Sequence, residues 1–110
     1  MSKREYLVTE HRKRIPTHPG LILKEDVLPD LGISITEMAK GLGISRQTLH
    51  RILKGTHPVT PGMALRLGRF CDNNPMMWLK LQQAYDLKIA EIELEDDLKK
   101  IPVHHGIFLH

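Results

Sequence analysis

Apolar residues return along this chain at helical intervals, in blocks separated by Gly, Pro, Ser and Asn. Leu21, Leu23, Val27 and Leu28 form the first inward-facing set, behind His18-Pro19-Gly20. Proline suits a first helical turn, where its missing N–H is not needed, so a helix is predicted from this tripeptide to about Leu28. Pro29 is expected to end that helix, and Asp30-Leu31-Gly32 to turn the chain. Ser34-Ile35-Thr36-Glu37 reads as a capping box, in which the serine oxygen accepts from the Glu37 N–H and the glutamate reaches back. A second helix then spans about residues 35–42, closed by Gly43 in the left-handed conformation. Ser45 caps a third helix over about residues 46–54, stopped by Gly55, with Ile44 placed to pack against Leu49 across the cap. Thr60-Pro61 opens a fourth helix to about Phe70, and Asn74-Pro75 opens a fifth with Met76, Trp78, Leu79, Ala84 and Leu87 apolar. Beyond Leu87 the apolar positions Ile89, Ile92, Leu94 and Leu98 drift between helical and alternating periods, and residues 102–110 are expected to be irregular.

Five helices on short turns, with no convincing central strand, predict an all-α domain. The chain of 110 residues has room for one such domain with tails. The expected organisation is a flexible basic arm over residues 1–17, a helix–turn–helix domain over 18–87 and an acidic tail over 88–110, helical in part. The arm, with Arg12-Lys13-Arg14, reads either as loosely ordered chain or as a tail that adds phosphate contacts.

Spacing also divides the second and third helices into faces. Met38, Ala39 and Leu42 face inward on one and Leu49, Ile52 and Leu53 on the other, with Ala39 small because the two helices cross closely. A small residue, a glycine at the turn and apolar anchors are what two helices meeting near a right angle require. Arg46, Gln47, Thr48, His50, Arg51 and Lys54 are left for the outer surface. In this geometry the N-terminal residues of the second helix meet base edges in the major groove. Arg46 and Gln47 are the candidates for direct readout, since Arg is bidentate to guanine and Gln to adenine. His50, one turn on, is a weaker third. Ser45, Thr48, Arg51 and Lys54 suit phosphates, helped by the positive end of the helix.

Charge sharpens this reading. No acidic residue lies between Glu37 and Asp72, whereas Lys40, Arg46, Arg51, Lys54, Arg66 and Arg69 all do. The net charge of +3 is modest, but residues 87–110 hold five acids against three bases, so the two regions suit different partners. One such helix reads only a few base pairs, so a homodimer on a palindromic double-stranded operator is expected, its reading helices roughly 34 Å apart. The apolar excess of the fifth helix (Met76, Met77, Trp78, Leu79, Leu81, Tyr85, Leu87) is assigned partly to self-association, with Trp78 and Leu79 closing the core instead.

Other chemistries find little support. The single Cys71 excludes an intramolecular disulfide and points to a reducing compartment. No apolar run is long enough to cross a bilayer, and Met1-Ser2-Lys3-Arg4-Glu5-Tyr6 lacks the apolar stretch of a secretory signal, so no membrane association and a cytoplasmic location are expected. Of seven histidines, none pairs at helical ligand spacing with a flanking carboxylate, and His104, His105 and His110 fall in an expected loop. No glycine-rich phosphate cradle or Cys/His catalytic pair occurs. Neither an enzyme, nor a metal site, nor a cofactor is expected.

His18-Pro19-Gly20, Leu23-Lys24-Glu25, Leu31-Gly32-Ile33-Ser34, Ser45-Arg46-Gln47-Thr48, Arg51-Ile52-Leu53 and Pro58-Val59-Thr60-Pro61 together resemble the HigA family of addiction-module antitoxins. Met63-Ala64-Leu65-Arg66-Leu67 and Trp78-Leu79, Gln82 and Tyr85-Asp86-Leu87 extend the resemblance over residues 18–87. It implies a five-helix, phage-repressor-like (lambda-repressor-like) fold. It also implies a homodimeric antitoxin that represses its own operon and neutralises a HigB-type, RelE-like toxin, an mRNA-cleaving nuclease. Some relatives act as stand-alone regulators with no cognate toxin, which is the alternative. Two positions depart from the pattern: Ile35 stands where relatives often carry a phosphate-reaching Gln, and Leu21 where Glu is common. A basic toxin needs an acidic surface, and Glu91, Glu93, Glu95, Asp96 and Asp97 offer one, if they are not simply a solvated tail.

Overall fold

The structure, a computed structural model, describes residues 15–106. The expected basic arm, Arg12-Lys13-Arg14 included, falls almost wholly on residues outside this range, as does His110 at the other end. All regular structure among the described residues is helical. They divide into two compact units, one spanning Pro16–Asp86 and a second to which the chain from Leu87 belongs.

The first helix, α1, is made of Pro19–Ile22, a π turn over Leu23–Val27, and Leu28–Leu31. It therefore runs through Pro29, where the sequence predicts a stop. A proline inside a regular helix clashes with the carbonyl four residues back. Here the turn before it is widened, so that the Leu28 N–H donates to the Leu23 carbonyl five residues back and the chain continues. Gly32, at φ 65°, closes the helix with its N–H on the Leu28 carbonyl at 3.0 Å. The wider turn also changes the register of the apolar face. Leu23 is fully buried and Val27 and Leu28 half-buried, but Leu21, expected to face inward, is exposed.

The next two helices follow the sequence closely. α2 spans Ile35–Leu42 behind the Ser34–Glu37 capping box, and Gly43 ends it at φ 72°. α3 spans Arg46–Leu53 behind Ser45, with Gly55 at φ 76° beyond it. α4 spans Pro61–Cys71, capped by the Thr60 side chain, and stops at Asp72 in the left-handed conformation. α5 spans Pro75–Glu93, so the mixed period beyond Leu87 resolves as helix for six more residues, with Ile89 and Ile92 buried. A last turn, α6, spans Glu95–Lys99, and residues 102–106 are irregular.

Leu23, Met38, Ala39, Leu42, Leu49, Ile52, Leu53, Val59, Met63, Ala64, Leu67 and Trp78 make one core. All six anchors expected on α2 and α3 lie in it. Burying each large side chain contributes about 1.5–3 kcal/mol, so the pair α2–α3 is fixed to the rest of the unit from its inner side. Trp78 closes this core, its indole N–H on the Asn73 side chain at 2.9 Å. Met76, Met77 and Leu87 of α5 remain exposed.

Candidate nucleic-acid interface

The site begins with how α3 is started. Ser45 has an extended backbone (φ −72°, ψ 153°), which turns its side chain back over the first helical turn. Its Oγ accepts from the Thr48 N–H at 3.0 Å and donates to Thr48 Oγ1 at 2.8 Å. One otherwise unpaired amide of the helix start is thereby satisfied without an acidic side chain. The positive end of the helix is left uncompensated by any carboxylate of its own first turn.

The far end is tied down more heavily. The Arg51 carbonyl accepts from the N–H groups of Thr56 and His57 and from Thr56 Oγ1, at 3.0, 3.2 and 3.1 Å. The first turn of α1 lies so close to α3 that a Cβ added at Gly20 would collide with the Ile52 carbonyl. Only glycine fits at that crossing. The position of α3 is thus set from its buried face and its C-terminal end, while its outer face is left open.

That outer face carries the residues expected there. Arg46, Gln47, Arg51, Lys54 and Ser45 are exposed, and Thr48 and His50 half-buried. At 3.6 residues per turn, Arg46, His50 and Lys54 form one row along the helix, and Gln47 and Arg51 form the row beside it. The structure brings these five together on one polar, basic surface. It does not place Thr48 on either row: its hydroxyl is engaged with Ser45 at the helix start.

The basic stretch splits further. Arg66 of α4 donates from Nη1 to the Leu42 carbonyl at 2.7 Å and to that of Gly43 at 3.4 Å. Its cation sits at the negative, C-terminal end of α2 and holds the turn between the two helices of the motif. This bond joins residues 24 positions apart, so no local pattern could announce it.

Two other residues that hold this region were missed as functional. His18 is buried and caps α1, its Nδ1 accepting from the Gly20 N–H at 2.9 Å. Burial lowers its pKa from the ordinary 6.5, against a smaller opposing pull from Asp86. Gln82 of α5 accepts from the Val59 N–H at 2.8 Å and donates to Asp86 at 2.8 Å. A histidine just before a helix-starting proline was a legible cap signal; the Gln82 contact, 23 residues apart, was not.

Two clefts among the described residues lie away from α3. A cleft of about 700 Å³ is lined by residues of the second half of α1 with Cys71 and Asn73, and one of about 450 Å³ lies between α2 and α4. Neither includes a residue of α3. Burial pushes the Cys71 thiol pKa up, away from the reactive thiolate. Among the described residues no three His, Cys, Asp or Glu side chains converge as metal ligands, and no helix is long and apolar enough to cross a membrane.

Comparison with known proteins adds names to this geometry. The family profile described as helix-turn-helix matches residues 23–79. Virulence-associated protein A' of Dichelobacter nodosus is 44% identical over 89 residues, covering 80% of this chain and 76% of that protein. An addiction module antidote protein of the HigA family from Coxiella burnetii has a similar structure, with TM-score 0.76 and 35% identity over 83% of this chain and 99% of its own. So has the Pseudomonas aeruginosa antitoxin HigA, solved with the higBA promoter, with TM-score 0.75 and 31% identity over 80% and 96%.

Proposed function

Because this chain belongs to the HigA family of helix-turn-helix proteins, we propose that it binds a palindromic operator as a homodimer and represses its own operon. The observation that carries this is the outer face of α3: a basic, acid-free surface on a helix anchored in the core by Leu49, Ile52 and Leu53. Arg46 and Gln47 read base edges, with His50 one turn behind. Ser45, Thr48, Arg51 and Lys54 hold phosphates. The promoter complex of the Pseudomonas aeruginosa relative supports the reading.

The same family membership supports a second activity, neutralisation of a HigB or RelE-like toxin. The acidic segment after Leu87 suits a basic partner. Its carboxylates flank apolar side chains, Leu94, Leu98 and Ile101, that are 45–62% exposed. Exposed apolar groups rimmed by charge are what a protein partner buries.

Binding to the chain's own upstream DNA across a salt series tests the first activity, in wild type and in Arg46→Ala with Gln47→Ala. Salt-sensitive, sequence-selective binding is expected, with selectivity lost in the double variant at about 1–3 kcal/mol per bidentate contact. Equal affinity for operator and scrambled DNA in the wild type would refute it. For the second, co-expression with a small basic protein encoded beside it should relieve growth arrest. No such neighbour, or no relief, would leave a stand-alone regulator.

A further inference from the structure

Three elements meet at His18. Its Nδ1 holds the Gly20 amide and so shapes the first turn of α1, which lies against the Ile52 carbonyl of α3. Its ring carbons Cγ and Cδ2 come within 3.5 and 3.7 Å of where a Cβ of Gly55 would stand, at the turn that ends α3. On its other side the ring meets Tyr85 of α5 edge-on, at 5.0 Å between centroids and 80° between planes. Three residues earlier on the same helix, Gln82 accepts from the Val59 N–H, in the loop after α3. No other buried polar side chains occur among the described residues. His18 lies against the turn that ends α3, and Gln82 holds the loop that follows it.

We propose that His18 is a positioning residue for DNA reading: it locks the C-terminal end of α3 between α1 and α5, and so fixes the direction in which Arg46 and Gln47 project. This rests on the reading of α3 as the DNA-contacting helix. Without that clamp α3 is held by its buried face alone. A small change in its tilt then costs the short-range, directional hydrogen bonds to bases before it costs phosphate attraction. The neutral ring accepts at Nδ1 and so carries its proton on Nε2. Adding a proton at Nδ1 removes the acceptor that Gly20 needs. Among the described residues the titratable groups facing the ring are Tyr85 and Asp86, both from α5; the α1 and α3 sides present the glycines Gly20 and Gly55.

The test measures operator and scrambled-DNA affinities of the full chain, with unfolding midpoints, for wild type, His18→Ala, His18→Asn and Tyr85→Leu. His18→Ala is expected to lower the operator-to-scrambled ratio about fivefold to tenfold in protein that is still folded. His18→Asn, whose side-chain oxygen can take the Gly20 amide, should recover most of that ratio. Tyr85→Leu should lower it by a smaller factor. A pH profile provides an independent readout. Burial holds the His18 pKa below 6.5, so as the pH falls below that value the wild-type ratio should fall further than that of His18→Asn. If His18→Ala is too unstable to assay, the pH profiles of wild type and His18→Asn decide. Unchanged ratios in folded variants, with only the midpoints lowered, would make His18 a structural cap and overturn the inference. A wild type with no operator preference would instead overturn the reading of α3 itself.

Discussion

α2 and α3 are two helices of eight residues that begin in the same way and end up facing different things. Each follows a serine in extended conformation whose hydroxyl accepts from the amide three residues on, at 3.0 Å in both. They differ at that third position. In α2 it is Glu37, whose carboxylate takes the Ser34 N–H at 3.3 Å and completes the box. In α3 it is Thr48, which returns a hydroxyl and no charge. An acid in the first turn stabilises a helix by about 0.3–1 kcal/mol through the dipole. α3 forgoes that contribution, and what it keeps is a positive helix start open to an anion. Both helices are capped by a serine, and one side chain, Glu37 against Thr48, decides whether the helix start also carries a compensating charge.

Thr48→Glu would break this difference most directly, by giving α3 the box that α2 has. Stability is expected to be unchanged or raised by a few tenths of a kcal/mol, as a capping box predicts. DNA affinity is expected to fall by about tenfold or more, because a carboxylate then stands where phosphate would approach. Thermal unfolding and operator binding on the same preparation check both. A variant that binds as well as wild type would show that the start of α3 is not near the backbone.

The contrast also explains what was legible in the sequence. Both serine caps, the closing Gly43 and the anchors Met38, Leu42, Leu49 and Ile52 are local patterns, and local patterns specify helix ends and faces. Pro29 misled because its breaking effect depends on the turn before it, and nothing local signals that Leu23–Val27 widens into a π turn. Leu21 was misplaced with it. At the site, exposure of Arg46, Gln47, Arg51 and Lys54 follows from the same periodicity. The roles of Arg66 and Gln82 rest on contacts with distant segments, visible only once the helices are packed; the cap by His18 is local, but its contacts with Gly55 and Tyr85 are not.

Paired serine substitutions sharpen the comparison at smaller amplitude. Ser34→Ala and Ser45→Ala should each lower stability by about 1 kcal/mol, the usual loss of a cap. Only Ser45→Ala should also weaken operator binding beyond what its stability loss explains, since Ser34 starts the helix that carries its own acid. Equal losses of binding in the two variants would remove the distinction.

Two arginines of the acid-free run offer the finest test. Arg51 is exposed on the outer rows of α3, and Arg66 spends its guanidinium on the Leu42 and Gly43 carbonyls. Arg51→Ala should leave the unfolding midpoint nearly unchanged and reduce the slope of log affinity against log salt by about 0.9, one phosphate contact's share. Arg66→Ala should do the reverse, lowering stability by about 1 kcal/mol through the lost hydrogen bonds with the salt slope unchanged. Equal charge removed from one stretch of sequence would then be read by two different measurements. If Arg66→Ala flattened the salt dependence as well, the guanidinium that holds the turn would also be touching DNA, and the proposed division of the basic stretch into structural and DNA-contacting cations would have to be redrawn at Gly43.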